Sequence, residues 1–212
     1  MNIKANITNI LLELDEKVQL VAVSKTKPTN YIFEAYQAGQ RIFGENKVQE
    51  LIEKSANLPD DIQWHMIGHL QTNKVKYIAP FVSLIHSVDS KKLLIEIDKR
   101  AKQHERVIHC LLQIHIAQES SKFGLSENEA LELLEMKLAN VSIDGLMGMA
   151  TFTDNKQQIR SEFKSLKNTY EKAKRKFHKL SILSMGMSGD YEIAIQEGSN
   201  MIRVGSSIFG TR

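Results

Sequence analysis

A lysine that closes a run of small and β-branched residues is the first candidate for chemistry in this sequence. The segment VAVSKTKP covers residues 21–28, and its apolar part predicts a buried strand that runs up to Lys25. Because side chains alternate between the faces of a strand, Val21, Val23 and Lys25 are expected to point the same way. A lysine beside a core loses hydration, which lowers its pKa and makes its amine a nucleophile. This is the setting that a Schiff-base lysine requires.

Lys25 also has a simpler interpretation and a rival. A lysine at the end of a strand can extend its amine to water, and lysine is seldom buried. Lys27 shares the strand parity of Lys25, but it precedes Pro28 and is expected to lie in a loop and remain hydrated. On these residues alone, the structural and the chemical interpretations of Lys25 stay open.

Two segments rich in glycine and serine predict a site for a phosphate group. SMGMSGD covers residues 184–190, and RVGSS covers residues 203–207. Glycine lets backbone N–H groups approach an anion closely, and serine adds a hydroxyl donor. Ser188 is expected at the N-terminus of the next helix, where the helix dipole favours an anion. The alternative is two tight turns capped by serine.

A phosphate site beside an inward-facing lysine suggests pyridoxal 5′-phosphate (PLP) held as a Schiff base. Arg203 shares a strand face with Met201 and Gly205, so its guanidinium is expected to point into the same site. A guanidinium donates hydrogen bonds and accepts none. Facing the pyridine nitrogen, it would keep that nitrogen unprotonated and weaken the cofactor as an electron sink. A salt bridge to a carboxylate is the alternative for Arg203.

The pair His65 and His69 has the spacing H-x3-H and raises the question of a metal site. The zincin signature needs a glutamate directly after the first histidine, and Met66 stands there instead. The segment is also a predicted strand that runs into a turn, so the two rings need not share a face. We therefore predict no metal, and we expect His65 to pack or form a hydrogen bond near the site.

These candidates lie at the ends of a regular alternation of strands and helices. Predicted strands cover residues 18–24, 41–44, 62–68, 82–87, 107–116, 141–149, 180–185 and 201–205. Predicted helices cover residues 28–39, 47–56, 72–78, 91–103, 126–137, 155–178 and 188–197. An extra N-terminal helix is predicted by apolar residues at helical spacing, namely Ile3, Ile7, Ile10, Leu11 and Leu14.

The alternation predicts an α/β fold, a single (β/α)8 TIM-type barrel over residues 1–212. Continuous apolar strands joined by helices indicate a parallel sheet covered on both faces, and eight such units close naturally into a barrel. An open doubly wound sheet is the alternative, although no GxGxxG motif follows the first strand. In a barrel, the C-terminal ends of the strands bring the candidate residues together.

Composition limits the possible partners and compartment. A net charge of +3 is too small to indicate nucleic acid, and the basic residues 155–179 carry an unbroken apolar stripe. No apolar stretch is long enough to span a bilayer, and the acidic N-terminal segment is unlike a signal peptide. The single cysteine, Cys110, allows no internal disulfide and fits a reducing cytoplasm. We expect a cytoplasmic monomer that contacts neither nucleic acid nor membrane.

The longest motifs of the chain resemble one known family. VAVSKTKP, FGENKVQE, WHMIGHLQTNK, SKFGL, GLMGMA, SMGMSGDYEIAI and GSNMIRVGSSIFGTR occur in this order. They are similar to the YggS/PROSC family of pyridoxal phosphate homeostasis proteins, from about Val21 to the end of the chain. The resemblance implies the barrel of the alanine racemase N-terminal domain, bound PLP, and a role in regulating PLP supply rather than in catalysis.

The resemblance also implies roles for individual residues. Lys25 matches the Schiff-base lysine, and Arg203 matches the residue that faces the pyridine nitrogen. The residues that match phosphate contacts are Ser188, Gly205 and Ser206. The residues that fall in motifs lining the cofactor pocket, with less defined roles, are Asn46, His65 and Met149. His69 receives no role.

Two functions from different classes remain. The first is a PLP carrier that regulates PLP homeostasis, with PLP-requiring apo-enzymes as candidate recipients. The second is a PLP-dependent amino-acid racemase, which needs one acid or base on each face of the substrate carbon. Lys25 could serve one face, but all five tyrosines fall in predicted helices, and no lid is evident after the last strand. We therefore favour the carrier, without robust catalysis.

Overall fold

Eight parallel strands form a closed barrel in chain order. The computed structural model describes residues 2–118 and 123–211. The strands are β1 (Gln19–Val23), β2 (Ile42–Glu45), β3 (Gln63–Met66), β4 (Leu84–Val88), β5 (Ile108–Gln113), β6 (Val141–Met147), β7 (Ile182–Met187) and β8 (Met201–Val204). Each strand pairs with the next, and β8 pairs with β1, so the sheet leaves no open edge. The predicted (β/α)8 barrel is confirmed.

Helices surround the barrel. They are α1 (Ile3–Glu13), α2 (Thr29–Gln37), α3 (Val48–Asn57), α4 (Val75–Ile78), α5 (Lys91–Gln103), α6 (Glu127–Leu134), α7 (Lys156–Lys176), α8 (Tyr191–Gln196) and α9 (Ser206–Phe209). The predicted N-terminal helix is α1, and its buried residues Ile3, Ile7 and Ile10 follow the predicted spacing. Within residues 2–118 and 123–211, no helix combines the length and apolar character needed to cross a membrane.

Side-chain alternation divides the apolar residues into two layers. Odd-numbered positions of β1 and β8, such as Val21 and Met201, join Leu84, Leu111 and Met147 in a small cluster inside the barrel. The neighbouring residues Leu20 and Ala22 face outward into the larger core between sheet and helices. Polar residues that point into the barrel are therefore enclosed by protein, and this burial sets their protonation states.

The end of β7 corrects one prediction. The helix predicted to start at Ser188 begins at Tyr191, and β7 extends to Met187 rather than to Met185. The reason is a local turn, in which the Met187 N–H donates to Asp190 Oδ1 at 2.5 Å and the Asp190 N–H to the Met187 carbonyl. Ser188 therefore lies in a loop and not at a helix N-terminus.

The segment after β8 contains a helix that the sequence did not predict. Residues 206–209 form the single turn α9, in which the Phe209 N–H donates to the Gly205 carbonyl at 2.9 Å. Four residues give too little periodicity to identify a helix from sequence. The turn is fixed by tertiary packing, since Ile208 and Phe209 are fully buried and the Ile208 carbonyl accepts from Asn6 of α1.

Candidate functional site

A cavity of about 540 Å³ opens at the C-terminal ends of the strands. Seven of the eight predicted site residues line it: Lys25, Asn46, Met149, Ser188, Arg203, Gly205 and Ser206. The eighth, His65, is absent from the lining and lies deeper, buried inside the barrel. Phe123 and Phe152, both exposed, lie on the rim. The barrel thus brings residues from five different strand ends to one place.

Lys25 enters the cavity from a turn and not from the strand itself. β1 ends at Val23, which also lines the cavity, and residues 25 and 26 form the turn that follows. The rival Lys27 is not simply hydrated as predicted, because its amine donates to the carbonyls of Gly210 and Thr211 at 3.0 and 3.2 Å. This arrangement favours Lys25 over Lys27 as the nucleophile.

The two glycine- and serine-rich loops meet at one point. The Gly205 N–H donates to Ser188 Oγ at 3.1 Å, and Ser206 begins α9 directly beside it. A Cβ on Gly205 would lie 3.1 Å from the Val23 carbonyl oxygen and 3.3 Å from Val23 Cβ. Such a side chain would press on β1. The loops therefore bring serine hydroxyls to one point, and the Gly205 N–H could donate to an anion there in exchange for its bond to Ser188 Oγ.

Arg203 lies inside the barrel mouth with neutral partners. Its Nη1 donates to Ser184 Oγ at 2.6 Å, and its Nη2 donates to the Gly148 carbonyl at 3.0 Å. These partners replace the carboxylate of the alternative considered above. Burial lowers the pKa of Arg203 to about 10, so the guanidinium stays charged at neutral pH. Its hydrogen-bond partners are neutral, and the Asp190 carboxylate, which also lines the cavity, acts on it electrostatically and opposes the fall in its pKa.

Two buried histidines, His65 and His86, continue the hydrogen bonding of Arg203 and Ser184 into the barrel. His86 was not singled out from the sequence. His86 Nδ1 lies 3.1 Å from Ser184 Oγ, and His86 Nε2 lies 3.0 Å from His65 Nδ1. Burial lowers the pKa of His65 to about 3 and that of His86 well below its usual value, so both rings are neutral near pH 7. We call residues His65, His86, Ser184 and Arg203 the histidine chain.

Arg203 fixes the first bond of the chain, because a guanidinium can only donate and Ser184 Oγ must accept from it. When Ser184 directs its own proton to His86 Nδ1, His86 carries its proton on Nε2 and donates to His65 Nδ1. The sequence signal for His86 is a histidine in the apolar strand LIHSV, two residues after the inward-facing Leu84.

A second buried polar group lies between β1, β2 and α3, beneath the turn that carries Lys25. Glu45 Oε1 accepts from Ser24 Oγ at 2.5 Å and from Lys54 Nζ at 2.8 Å. Lys54 Nζ also donates to the Ser24 carbonyl at 2.8 Å and lies 3.4 Å from Glu50 Oε2. Glu50 Oε2 in turn accepts from the Thr26 N–H at 2.7 Å. We call these five residues the Lys54 cluster.

The pKa values of the two carboxyl groups in the Lys54 cluster are shifted in opposite directions. Burial raises the pKa of Glu45, although its contacts with Lys54 and Ser24 oppose the change. Burial also acts to raise the pKa of Glu50, but the Thr26 N–H bond and Lys54 outweigh it, and the net pKa is lowered. Within the described residues, Glu45 Oε2 is buried without a hydrogen-bond partner. This cluster could not be predicted from sequence, since Glu50 and Lys54 belong to an amphipathic helix, where charged residues are normally on the surface.

His65 and His69 occupy different environments. His65 is inside the barrel, whereas His69 lies on the rim, with its ring stacked on Phe123 at a centroid distance of 3.9 Å. His69 Nδ1 lies 3.0 Å from Asp89 Oδ2. Across residues 2–118 and 123–211, no group of three or more His, Cys, Asp or Glu side chains is placed to hold a metal ion. The first two residues of the SKFGL motif lie outside the described residues, and residues 123–125 are described.

Comparison with known proteins agrees with this geometry. The model of the family described as "Alanine racemase, N-terminal domain" matches residues 1–212. A pyridoxal phosphate homeostasis protein of Aquifex aeolicus is 41% identical over 198 residues, which are 92% of this chain and 87% of that protein. One of Vibrio alginolyticus is 40% identical over 205 residues, 93% of this chain and 88% of that protein.

Solved structures give the same result. PipY of Synechococcus elongatus PCC7942, solved with PLP bound, has a TM-score of 0.90 and 35% identity, over 98% of this chain and all of that chain. Alanine racemase of Clostridium difficile 630 has a TM-score of 0.78 at 15% identity, with all of this chain covering 57% of that chain, and shows the fold alone. This chain therefore belongs to the alanine racemase N-terminal domain family and, within it, to the pyridoxal phosphate homeostasis proteins.

Proposed function

We propose that this protein binds PLP, carries it as a Schiff base on Lys25, and regulates PLP homeostasis in the cell. One observation carries the proposal: a single cavity is lined by an amine, a buried guanidinium and two converging loops of N–H and hydroxyl donors. These are the groups that an aldehyde, a pyridine nitrogen and a phosphate would need. Relatives with 41% and 40% identity are named for PLP homeostasis, and PipY was solved with PLP bound.

Each lining residue receives a role in this proposal. When bound, PLP supplies an aldehyde that condenses with an amine, with loss of water, and a ring that withdraws electrons. Lys25 provides the amine. Ser188, Gly205 and Ser206 hold the phosphate, with the Gly205 N–H exchanging its bond to Ser188 Oγ for one to the phosphate. Asn46 and Met149 line the cavity walls.

Arg203 faces the pyridine nitrogen in this arrangement. Its two bonds to Ser184 and Gly148 orient the guanidinium plane, and the histidine chain holds Ser184. A charged donor at this position opposes protonation of the ring nitrogen, which limits electron withdrawal. His65 then acts through His86 and Ser184 without contacting the cofactor.

We propose carriage and not catalysis. Racemisation would need a second acid or base opposite Lys25, usually a tyrosine in this fold family. The five tyrosines lie in α2, α4, α7 and α8, and no tyrosine is among the described residues that line the cavity. A racemase-like enzyme is therefore the weaker candidate.

The remaining parts of the proposal rest on the sequence. We propose that residues 1–212 form one PLP-binding domain that acts as a monomer, with PLP-requiring apo-enzymes as recipients. A cytoplasmic location rests on the single cysteine, which is buried.

Equilibrium dialysis of PLP and pyridoxal against the protein and its variants tests the proposal. We expect PLP to bind much more tightly than pyridoxal, which lacks the phosphate. The double variant Ser188→Ala/Ser206→Ala should bind PLP about two to four decades more weakly, since two bonds to a charged group are lost, each contributes about 1.5–3 kcal/mol, and a decade is about 1.4 kcal/mol. Lys25→Ala should lose the Schiff-base absorption but retain binding through the phosphate. Equal affinity for pyridoxal and PLP would contradict the phosphate site.

A further inference from the structure

We propose that the Lys54 cluster is a positioning device that holds the backbone on both sides of Lys25, so that its amine is presented to the cavity in one orientation. The inference rests on the proposed Schiff-base role of Lys25. The three charged residues of the cluster, Glu45, Glu50 and Lys54, are absent from the cavity lining, whereas Thr26 lines the cavity.

The residue before Lys25 is fixed at two atoms. The Ser24 hydroxyl donates to Glu45 Oε1 at 2.5 Å, and the Ser24 carbonyl accepts from Lys54 Nζ at 2.8 Å. Ser24, Glu45 and Lys54 are all buried. Bonds to charged groups in such surroundings are strong, and their loss leaves a buried polar atom without a partner. The chain therefore leaves β1 in a defined direction.

The residue after Lys25 is held in an unfavourable backbone conformation. Thr26 has φ +64°, a left-handed value that β-branched residues rarely adopt. Its N–H donates to Glu50 Oε2 at 2.7 Å, and its hydroxyl donates to the Lys25 carbonyl at 2.6 Å. A strained residue persists only where its surroundings impose the conformation, and such residues concentrate at functional sites. Here the imposing group is a carboxylate from α3.

One ammonium connects the two sides. Lys54 Nζ lies 2.8 Å from Glu45 Oε1 and 3.4 Å from Glu50 Oε2. Glu50 and Lys54 are four residues apart on α3, so a rigid helix presents both groups to the turn. A buried ion pair stabilises a fold poorly compared with apolar packing. Its bonds to Ser24, together with the bond from Glu50 to Thr26, suit a geometric role.

A matched pair of variants separates positioning from general stability. Glu50→Ala removes the carboxylate that accepts the Thr26 N–H. Glu129→Ala removes a carboxylate that accepts the Ser126 N–H at 2.8 Å, also in the first turn of a helix and outside the cavity lining. The first readout is amide hydrogen exchange of Thr26 in the protein without PLP. The second is the rate of Schiff-base absorption after PLP is added.

We expect Glu50→Ala to lower the exchange protection of Thr26 about tenfold or more and to slow Schiff-base formation by a similar factor. Glu129→Ala should leave both values unchanged. Glu50→Gln keeps an acceptor oxygen, so it should recover part of the loss and provides a variant with little change of shape. The inference is overturned if Glu50→Ala loads PLP at the rate of the unmodified protein. If the unmodified protein forms no Schiff base at all, the proposed function itself fails, and the two failures are distinguishable.

Discussion

Two buried polar groups flank the cavity, and they differ in charge. The Lys54 cluster, between the sheet and α3, contains one ammonium and two carboxylates. The histidine chain, inside the barrel, contains one guanidinium, one hydroxyl and two neutral imidazoles. The first group bonds to the backbone around Lys25, and the second group orients the side chain of Arg203.

The difference follows from what each group must hold. Backbone N–H and carbonyl groups on both sides of Lys25 need both an acceptor and a donor, and Glu50 and Lys54 supply them as charges that neutralise each other. Arg203 must keep its positive charge directed to the cavity, so a carboxylate partner would defeat its proposed role. Neutral dipoles orient the guanidinium through hydrogen bonds, while the Asp190 carboxylate acts on its charge electrostatically.

Removing the central ammonium should have the largest effect on stability. Lys54→Met keeps the apolar length of the side chain but leaves Glu45 buried without its cation. Breaking a buried pair in this way destabilises proteins by about 3–5 kcal/mol. The free energy of unfolding, measured by urea denaturation, should fall by this amount, and the double variant Glu45→Gln/Lys54→Met should recover much of it. A loss below about 1 kcal/mol, as is typical of surface pairs, would contradict the buried charge.

Lowering the pH should reduce the free energy of unfolding through the histidine chain. An unfolded histidine has a pKa of about 6.5, and burial lowers that of His65 to about 3, so the unfolded state binds more protons between these values. The stabilisation is present above pH 6.5 and is lost as the pH falls toward 3. From pH 7 to pH 5 the loss should be about 2 kcal/mol for His65 alone.

Urea denaturation at both pH values checks this prediction. In the His65→Gln variant, the free energy of unfolding should change less between pH 7 and pH 5 than in the unmodified protein, whatever the stability of the variant at pH 7. The raised pKa of Glu45 works in the opposite direction, because the folded state then binds more protons as the pH falls, but this contribution is the same in the variant and in the unmodified protein. An unchanged dependence on pH in His65→Gln would show that His65 is not buried as a neutral ring.

The sequence predicted the barrel and the cavity because both follow from periodicity. The strand alternation of VAVSKTKP identified the inward face of Val21 and Val23, whereas Lys25 reaches the cavity from the turn that follows β1. The glycine and serine residues near the ends of β7 and β8 identified the two loops that meet. The predicted start of α8 was wrong because the turn at Asp190 depends on one side-chain hydrogen bond, which periodicity does not reveal.

The two buried polar groups could not be predicted because their members are far apart in the chain. His86 and Ser184 are separated by 98 positions, and Ser24 and Lys54 by 30. A histidine in a strand or a lysine on a helix has many possible environments. Only barrel closure and the packing of α3 against β1 and β2 decide between them.

The assignment of Lys25 is the central claim, and borohydride reduction tests it most directly. The protein is loaded with PLP, reduced to fix the cofactor to its lysine, digested, and analysed by peptide mass spectrometry. We predict a single labelled peptide with the modification on Lys25. Lys27, whose amine is bonded to the carbonyls of Gly210 and Thr211, should remain unmodified. A label on Lys27, or labels spread over surface lysines, would contradict the account.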